Sequence, residues 1–423
     1  MPYPKEELLH HIWQHRLFSS QGLKTVDGQS LEILKSGRLN TDAGPDFRNS
    51  RIKVDGTEWA GNVEIHVRSS DWLKHNHQSD SAYANIILHV VFEDDLESSL
   101  GSFPTLVLRD LVSDQVLGRY ENLNNSTDSI PCGAQFMEVP ELIRNAWFDS
   151  LLIGRLQRKS EWMNSLVDAC NGDLEQAFMT VLFRAFGMKV NAEPFEQLAR
   201  QTPWKVLSKH QDSLFQLEAI LFGNAGFLKN PKDEYSEQLK KEYGFLQHKY
   251  DLKSLDEKVW KFLRLRPANF ATVRIAQLAA LFQKTGAFYG WFSNQRGKIE
   301  LESLGVSPSN YWKTHYNFGT ESSSKPKRVG TTMARNILIN AVAPFLFVSA
   351  HREAKPELQD RGLQLLQQLE AEKNVKVNAF TNQGLKVVNA AESQALIELK
   401  TNFCEHKKCL ICSMGANILK QES

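Results

Sequence analysis

Asp46, Glu64 and His66 have the types and the spacing for metal-assisted acid–base chemistry. Glu64 and His66 stand two apart in "NVEIHVR". Side chains alternate across a strand, so Asn62, Glu64, His66 and Arg68 share one face while Val63, Ile65 and Val67 share the other. A hairpin turn at "VDGT" would bring the preceding strand alongside and set Asp46, just after Gly44-Pro45, next to Glu64. Adjacent carboxylates repel unless a cation lies between them, and oxygen ligands with room for water favour Mg²⁺ or Mn²⁺. Such an ion activates water and shields a phosphate, with His66 placed to orient or deprotonate the water. Asn40, Asn62, Asp71, His75 and His77 are the expected substrate contacts or further ligands. "HNH" places His75 and His77 two apart, so in an extended segment they share a face and form a workable Zn²⁺ pair. His89, with Ile87 and Val91 on its face, is expected to be half buried beside them.

A second constellation lies near the C-terminus. "FCEHKKCLICSMG" carries Cys404, His406, Cys409 and Cys412, and the C-x-x-C spacing of Cys409 and Cys412 lets two thiolates hold one metal. Either His406 or Cys132, from "SIPCGAQ", completes four ligands. Zn²⁺ suits both sets, and a [4Fe–4S] cluster suits the all-cysteine set. Cys170 falls in a helical pattern and reads as core. A third candidate, "WKFLRLRPANFATVRIAQ", interleaves Arg264 and Arg266 with aromatics, a pattern that can follow a nucleic-acid backbone.

These groups need a scaffold. "KEELLHHIWQHR" has a helical period that puts Leu8, Leu9, Ile12 and Trp13 on one face. Five short β-branched runs follow, at 31–37, 51–56, 62–69, 85–94 and 105–111. Between the third and fourth, a helix is expected near Ser79–Ala84. From about Pro140 the period is helical. The 423 residues have 42% hydrophobic and 23% charged side chains, as a globular protein does. A formal net charge of +1 gives no global pull toward nucleic acid or anionic lipid. The N-terminus lacks the pattern of a signal peptide, and no run of apolar residues is long enough for a membrane span. Five cysteines, three of them clustered, fit a reducing compartment better than a disulfide framework, so a cytoplasmic location is expected.

The element order α-β-β-β-α-β, with an Asp at the second strand and Glu64 on the third, resembles the restriction-endonuclease-like nucleases whose signature is PD-(D/E)xK. That resemblance implies a metal-dependent nuclease acting on DNA or RNA, with His66 where the signature has Lys. Some nucleases of that superfamily carry an iron–sulfur staple with one distant and three clustered cysteines, which the layout of Cys132 and the tail resembles. Over the whole chain, "GPDFRNSRI", "GNVEIHVRSSDWLKHNHQSD", "AILFGNAGFL", "RLRPANFATVRIAQLA" and "CLICSMGANIL" resemble a bacterial domain-of-unknown-function family numbered 2851. That likeness implies no activity.

The expected fold is α+β: a nuclease-like sheet domain over 1–130, a mainly helical domain over 131–400, and a Cys-rich metal-binding tail over 401–423. The leading expectation is a metal-dependent phosphodiesterase or nuclease. The alternatives are a non-catalytic nucleic-acid-binding or assembly protein with a structural metal, and a Zn²⁺ hydrolase built on His66, His75, His77 and an Asp. No membrane partner is expected.

Overall fold

The computed structural model describes residues 3–96, 100–294 and 301–421. The chain divides into two compact units. The first comprises 1–149, 374–386 and 396–423; the second comprises 150–373 and 387–395. This differs from the expected boundary near 130 and from a separate tail. Composition shifts mark where helices take over, whereas packing decides which segments share a core, and the Cys-rich tail packs within the first unit.

The first unit opens with helix α1 (Glu6–His15), whose Leu8, Leu9, Ile12 and Trp13 are buried as its period requires. Strands β1 (Leu31–Lys35), β2 (Arg38–Leu39), β3 (Phe47–Val54), β4 (Thr57–Arg68), β5 (Ile86–Glu93) and β6 (Thr105–Val107) form one sheet in the order β1-β3-β4-β5-β6, with β2 paired to β3. β1 and β4 flank β3 antiparallel, and β5 runs parallel to both β4 and β6. The expected hairpin is present. Asp55 and Gly56 both take positive φ, 45° and 86°, and join Val54 to Thr57, the turn chemistry that matches strand twist.

β4 carries apolar Val63 and Ile65 on one face and Glu64 and His66 on the other, and all four are buried. The sheet buries both faces there because the crossover to β5 folds back over the polar side. That crossover is not the helix expected at Ser79–Ala84. It is a one-turn helix α2 (Asp71–Lys74) followed by 3-10 turns at His77–Ser79 and Ser81–Tyr83. Asp80 caps the second of these by accepting the Ala82 N–H at 2.8 Å, a local bond that stops a longer helix. Gly61 lets β5 enter close against β4, since a Cβ there would lie 2.4 Å from Ile87 Cγ2.

The second unit is helical, apart from a small ribbon pairing His315–Asn317 with Thr320–Glu321. Its stretch Thr331–Arg352 has the length and hydropathy of a membrane span, but 78% of it is buried inside the fold, as a core helix is. A π-turn at Leu338–Val342 precedes Pro344, which lacks the N–H that the α ladder would use.

Candidate metal centre

The site is built on β4 and the segments that close over it. Asp46, immediately before β3, and Glu64 clasp each other through the backbone. The Asp46 N–H donates to Glu64 Oε2 at 3.1 Å, and the Ile65 N–H donates to Asp46 Oδ2 at 2.9 Å. The two carboxylates therefore meet as the strand pattern predicts. The other Glu64 oxygen turns toward imidazoles. Oε1 lies 3.7 Å from His66 Nε2 and 3.4 Å from His77 Nε2. His66 Nε2 is in turn 3.2 Å from His75 Nδ1.

Glu64 thus meets His66 and His77, and His75 lies beside His66. The ligating atoms of the three histidines all lie within 4.8 Å of one another. Around a tetrahedral ion with bonds of about 2.0–2.1 Å, ligand atoms stand about 3.3 Å apart, close to the spacings here. His77 Nε2 is buried without a hydrogen-bond partner, so its bonding capacity is unmet within the cluster. "HNH" works here by a route other than an extended strand. Asn76 adopts the left-handed conformation at φ 58°, which Asn tolerates, between the end of α2 and the next turn, and both neighbouring rings face His66.

His89, paired with Glu64 across β4 and β5, is fully buried rather than half buried, and its Nε2 lies 2.9 Å from His66 Nδ1. With a cation on Nε2, His66 carries its proton on Nδ1 and donates it to His89, the orienting bond typical of metal-bound histidine. Trp72 and Tyr83 wall the rings: Trp72 packs edge-on against His66, His77 and His89, and Tyr83 stacks on His77 at 3.9 Å. His75 is exposed and leaves one side open to solvent.

Burial dominates the electrostatics. It pushes the Glu64 carboxyl up to about 9, with the Asp46 charge adding to the effect. Burial and the neighbouring imidazoles bring His66 down to about 3, and burial brings His89 down to about 4. The rings are therefore neutral at physiological pH, which is the form that binds metal.

Sequence reasoning missed two members of the neighbourhood, Glu6 and His10 on α1. His10 Nε2 faces Asp46 Oδ2 at 3.2 Å and Glu6 Oε1 at 3.8 Å, and the three residues form a second candidate cation group. Burial alone would lower the His10 pKa, but contact with Asp46 and the charges of Glu6 and Glu7 outweigh it, so the pKa is raised. The only sequence signal was the density of charged and imidazole side chains in "KEELLHHIWQHR". His10 also borders a groove of about 1010 Å³ whose rim includes His15, His406, Lys407, Lys408 and Lys420.

Other expected members have local structural roles instead. Asn40 donates through Nδ2 to the carbonyls of Asp42 and Pro45, each at 3.0 Å, so it shapes the loop that presents Asp46. Asn62 Oδ1 accepts the Asn49 N–H at 3.4 Å, at a bulge in β3. Asp71 accepts the Arg68 N–H at 3.0 Å and pairs with Lys74 at 2.6 Å, so it caps a turn. Arg264 and Arg266 are exposed in the second unit. Their neighbour Arg274 is buried and bonds Gln277 and Asn269, an intramolecular use that accounts for part of that basic stretch. His406 is exposed on the groove rim, while Cys132, Cys404, Cys409 and Cys412 share a separate cavity.

No curated protein and no solved structure matches the chain. The sequence profile of a family described as a protein of unknown function, DUF2851, matches residues 6–375. With most of its length covered by that match, the chain belongs to the DUF2851 family.

Proposed function

We propose that the protein is a metal-dependent phosphodiester hydrolase whose ion is held by Glu64, His66, His75 and His77. The observation that carries this reading is the convergence of Glu64 Oε1 with His66 Nε2 and His77 Nε2 at 3.7 and 3.4 Å, beside His75 Nδ1 at 3.2 Å from His66. A donor set rich in imidazole favours Zn²⁺, or Mn²⁺ as a second fit, over the Mg²⁺ that two carboxylates alone would suggest. A divalent ion in this position supplies Lewis-acid activation of water and of a phosphoryl oxygen.

The protein's own groups do the rest. The Asp46 backbone N–H and the Glu64 carboxylate fix each other, so Oε1 is presented at one angle. His89 holds the His66 ring. Trp72 and Tyr83 keep bulk water from the buried side. His10, protonated more readily than a free imidazole and set between Asp46 and the groove, is placed to hand a proton to a departing alkoxide. Lys407, Lys408 and Lys420 on the groove rim suit a polyanion, which favours a nucleic acid among phosphodiesters. The sheet order, with Asp46 just before β3 and Glu64 on the adjacent β4, supports a PD-(D/E)xK-like ancestry in which imidazoles have taken over the lysine's place.

The test is elemental analysis of the purified protein, followed by hydrolysis assays on an aryl phosphodiester and on single- and double-stranded DNA and RNA with Zn²⁺ or Mn²⁺. The expected result is one Zn²⁺ or Mn²⁺ at this site and activity reduced at least ~100-fold in His66→Ala and His77→Ala. Activity that persists in both variants, or none on any of these substrates in the metal-loaded protein, sinks the reading.

A further inference from the structure

The five cysteines are all unpaired, and four of them lie together. Cys132, Cys404, Cys409 and Cys412 line one small cavity whose remaining walls include Ile130, Phe136, Leu399 and Met414. Cys170, the fifth, lies in the second unit. The thiols are close enough that Cys404 feels the charges of the other three.

The local backbone is shaped around them. Gly415 packs so tightly under the C-x-x-C loop that a Cβ there would stand 2.3 Å from the Cys409 carbonyl oxygen. Cys412 is the N-cap of the last helix, Ser413–Lys420, and is buried. The Trp147 indole nitrogen is buried without a hydrogen-bond partner.

The spacing separates the two metals that four thiolates could hold. Thiolates on one Zn²⁺, at bonds of about 2.3 Å, stand about 3.8 Å apart. Among the described residues, the groups of three ligating atoms mutually within 4.8 Å are His66, His75 and His77, and Glu6, His10 and Asp46; no trio of these thiols is that close. In an iron–sulfur cluster each thiolate binds a different iron, and wider spacing follows.

We infer that Cys132, Cys404, Cys409 and Cys412 bind a [4Fe–4S] cluster that fastens the C-terminal segment to the chain near Cys132 within the first unit. Each thiol loses its proton on ligation. The cluster closes a loop of chain between Cys132 and Cys404, and closing a long loop restricts the unfolded chain. The inference does not depend on the hydrolytic reading, because it concerns other residues in another cavity.

The experiment is anaerobic purification of the full chain, with iron, zinc and acid-labile sulfide measured together with the visible spectrum. The expected result is about four irons and four sulfides per chain with a broad visible absorbance. Cys409→Ser should lose most of the iron, while Cys170→Ser keeps it. If Cys409→Ser does not accumulate, the wild type is stripped with a chelator and rebuilt anaerobically with equal parts of ferrous and ferric iron and sulfide. Return of the absorbance and of tryptic protection of the tail supports the inference. Stoichiometric zinc without iron, full iron in Cys409→Ser, or no rebinding by the stripped protein overturns it.

Discussion

The two units differ in where their buried acids find partners. In the second unit, buried acids gather several donors, at Glu218 all on Oε2 while Oε1 is buried without a partner. Glu175 accepts the Tyr289 and Gly290 N–H groups at 2.9 and 3.0 Å, and Glu218 Oε2 accepts Tyr235 Oη at 2.6 Å, Ser309 Oγ at 3.1 Å and Trp312 Nε1 at 3.3 Å. In the first unit, Glu64 Oε2 accepts the Asp46 N–H, Oε1 faces His66 and His77, and His77 Nε2 is buried without a hydrogen bond. A buried polar group surrounded by partners holds a fold together. Several under-satisfied ones that aim at the same point are costly to the apo fold and acquire a purpose only when something binds. Burial alone therefore does not distinguish a site from a brace; the direction of the unmet bonding capacity does.

That contrast can be broken by substitution. The largest effect is expected at Glu218→Ala, which strands three donors and should cost about 3–5 kcal/mol in denaturant unfolding while leaving metal binding in the first unit unchanged. A loss under 1 kcal/mol would mean that the three donors on Oε2 are not what makes Glu218 a brace. His77→Ala should do the reverse: metal affinity down at least ~100-fold by competition with a chelator, with apo stability unchanged or slightly higher, because an unmet buried nitrogen is removed. A large fall in apo stability would make His77 a brace as well.

Next in size is a pH effect in the second unit. Burial, partly offset by its three donors, raises Glu218 from 4.5 to about 6. An acid with a raised folded pKa contributes its stability fully below the unfolded value and loses it as pH rises through the folded one. Wild-type stability should therefore fall by about 2 kcal/mol across that window relative to Glu218→Gln. Parallel pH profiles of the two proteins would remove Glu218 as the cause. The smallest shift is expected at His89→Phe, which keeps the ring volume but not the bond to His66. Metal affinity should drop roughly 10-fold, and an unchanged affinity would show that His66 needs no orienting partner.

Much of this could be read in the sequence, because local rules wrote it. The β-branched runs became the sheet, "VDGT" became the hairpin, and alternation put Glu64 and His66 on one face with Asp46 across from it. What stayed hidden depended on chain segments far apart. His10 reaches Asp46 only because α1 packs beside the sheet, and its own helix supplies ample reason for a polar residue there. The choice between His406 and Cys132 could not be made from spacing, since both sets satisfy a four-ligand count; the fold sends His406 to the groove rim and Cys132 to the thiols. Asn40, Asn62 and Asp71 were over-read because a side chain that caps a turn and one that meets a substrate have the same letters.

The first unit is assembled from chain on both sides of the second. During synthesis, residues 150–373 therefore leave the ribosome before 374–386 and 396–423 can join the sheet that was made first. The helical unit can fold while the earlier segment waits, with Cys132 lacking its three companions. Completion of the first unit thus requires translation through 396–423. A chain cut short before Cys404 would display the sheet and the histidines without the segment that closes the thiol cavity, a difference that proteolysis of stalled nascent chains would reveal.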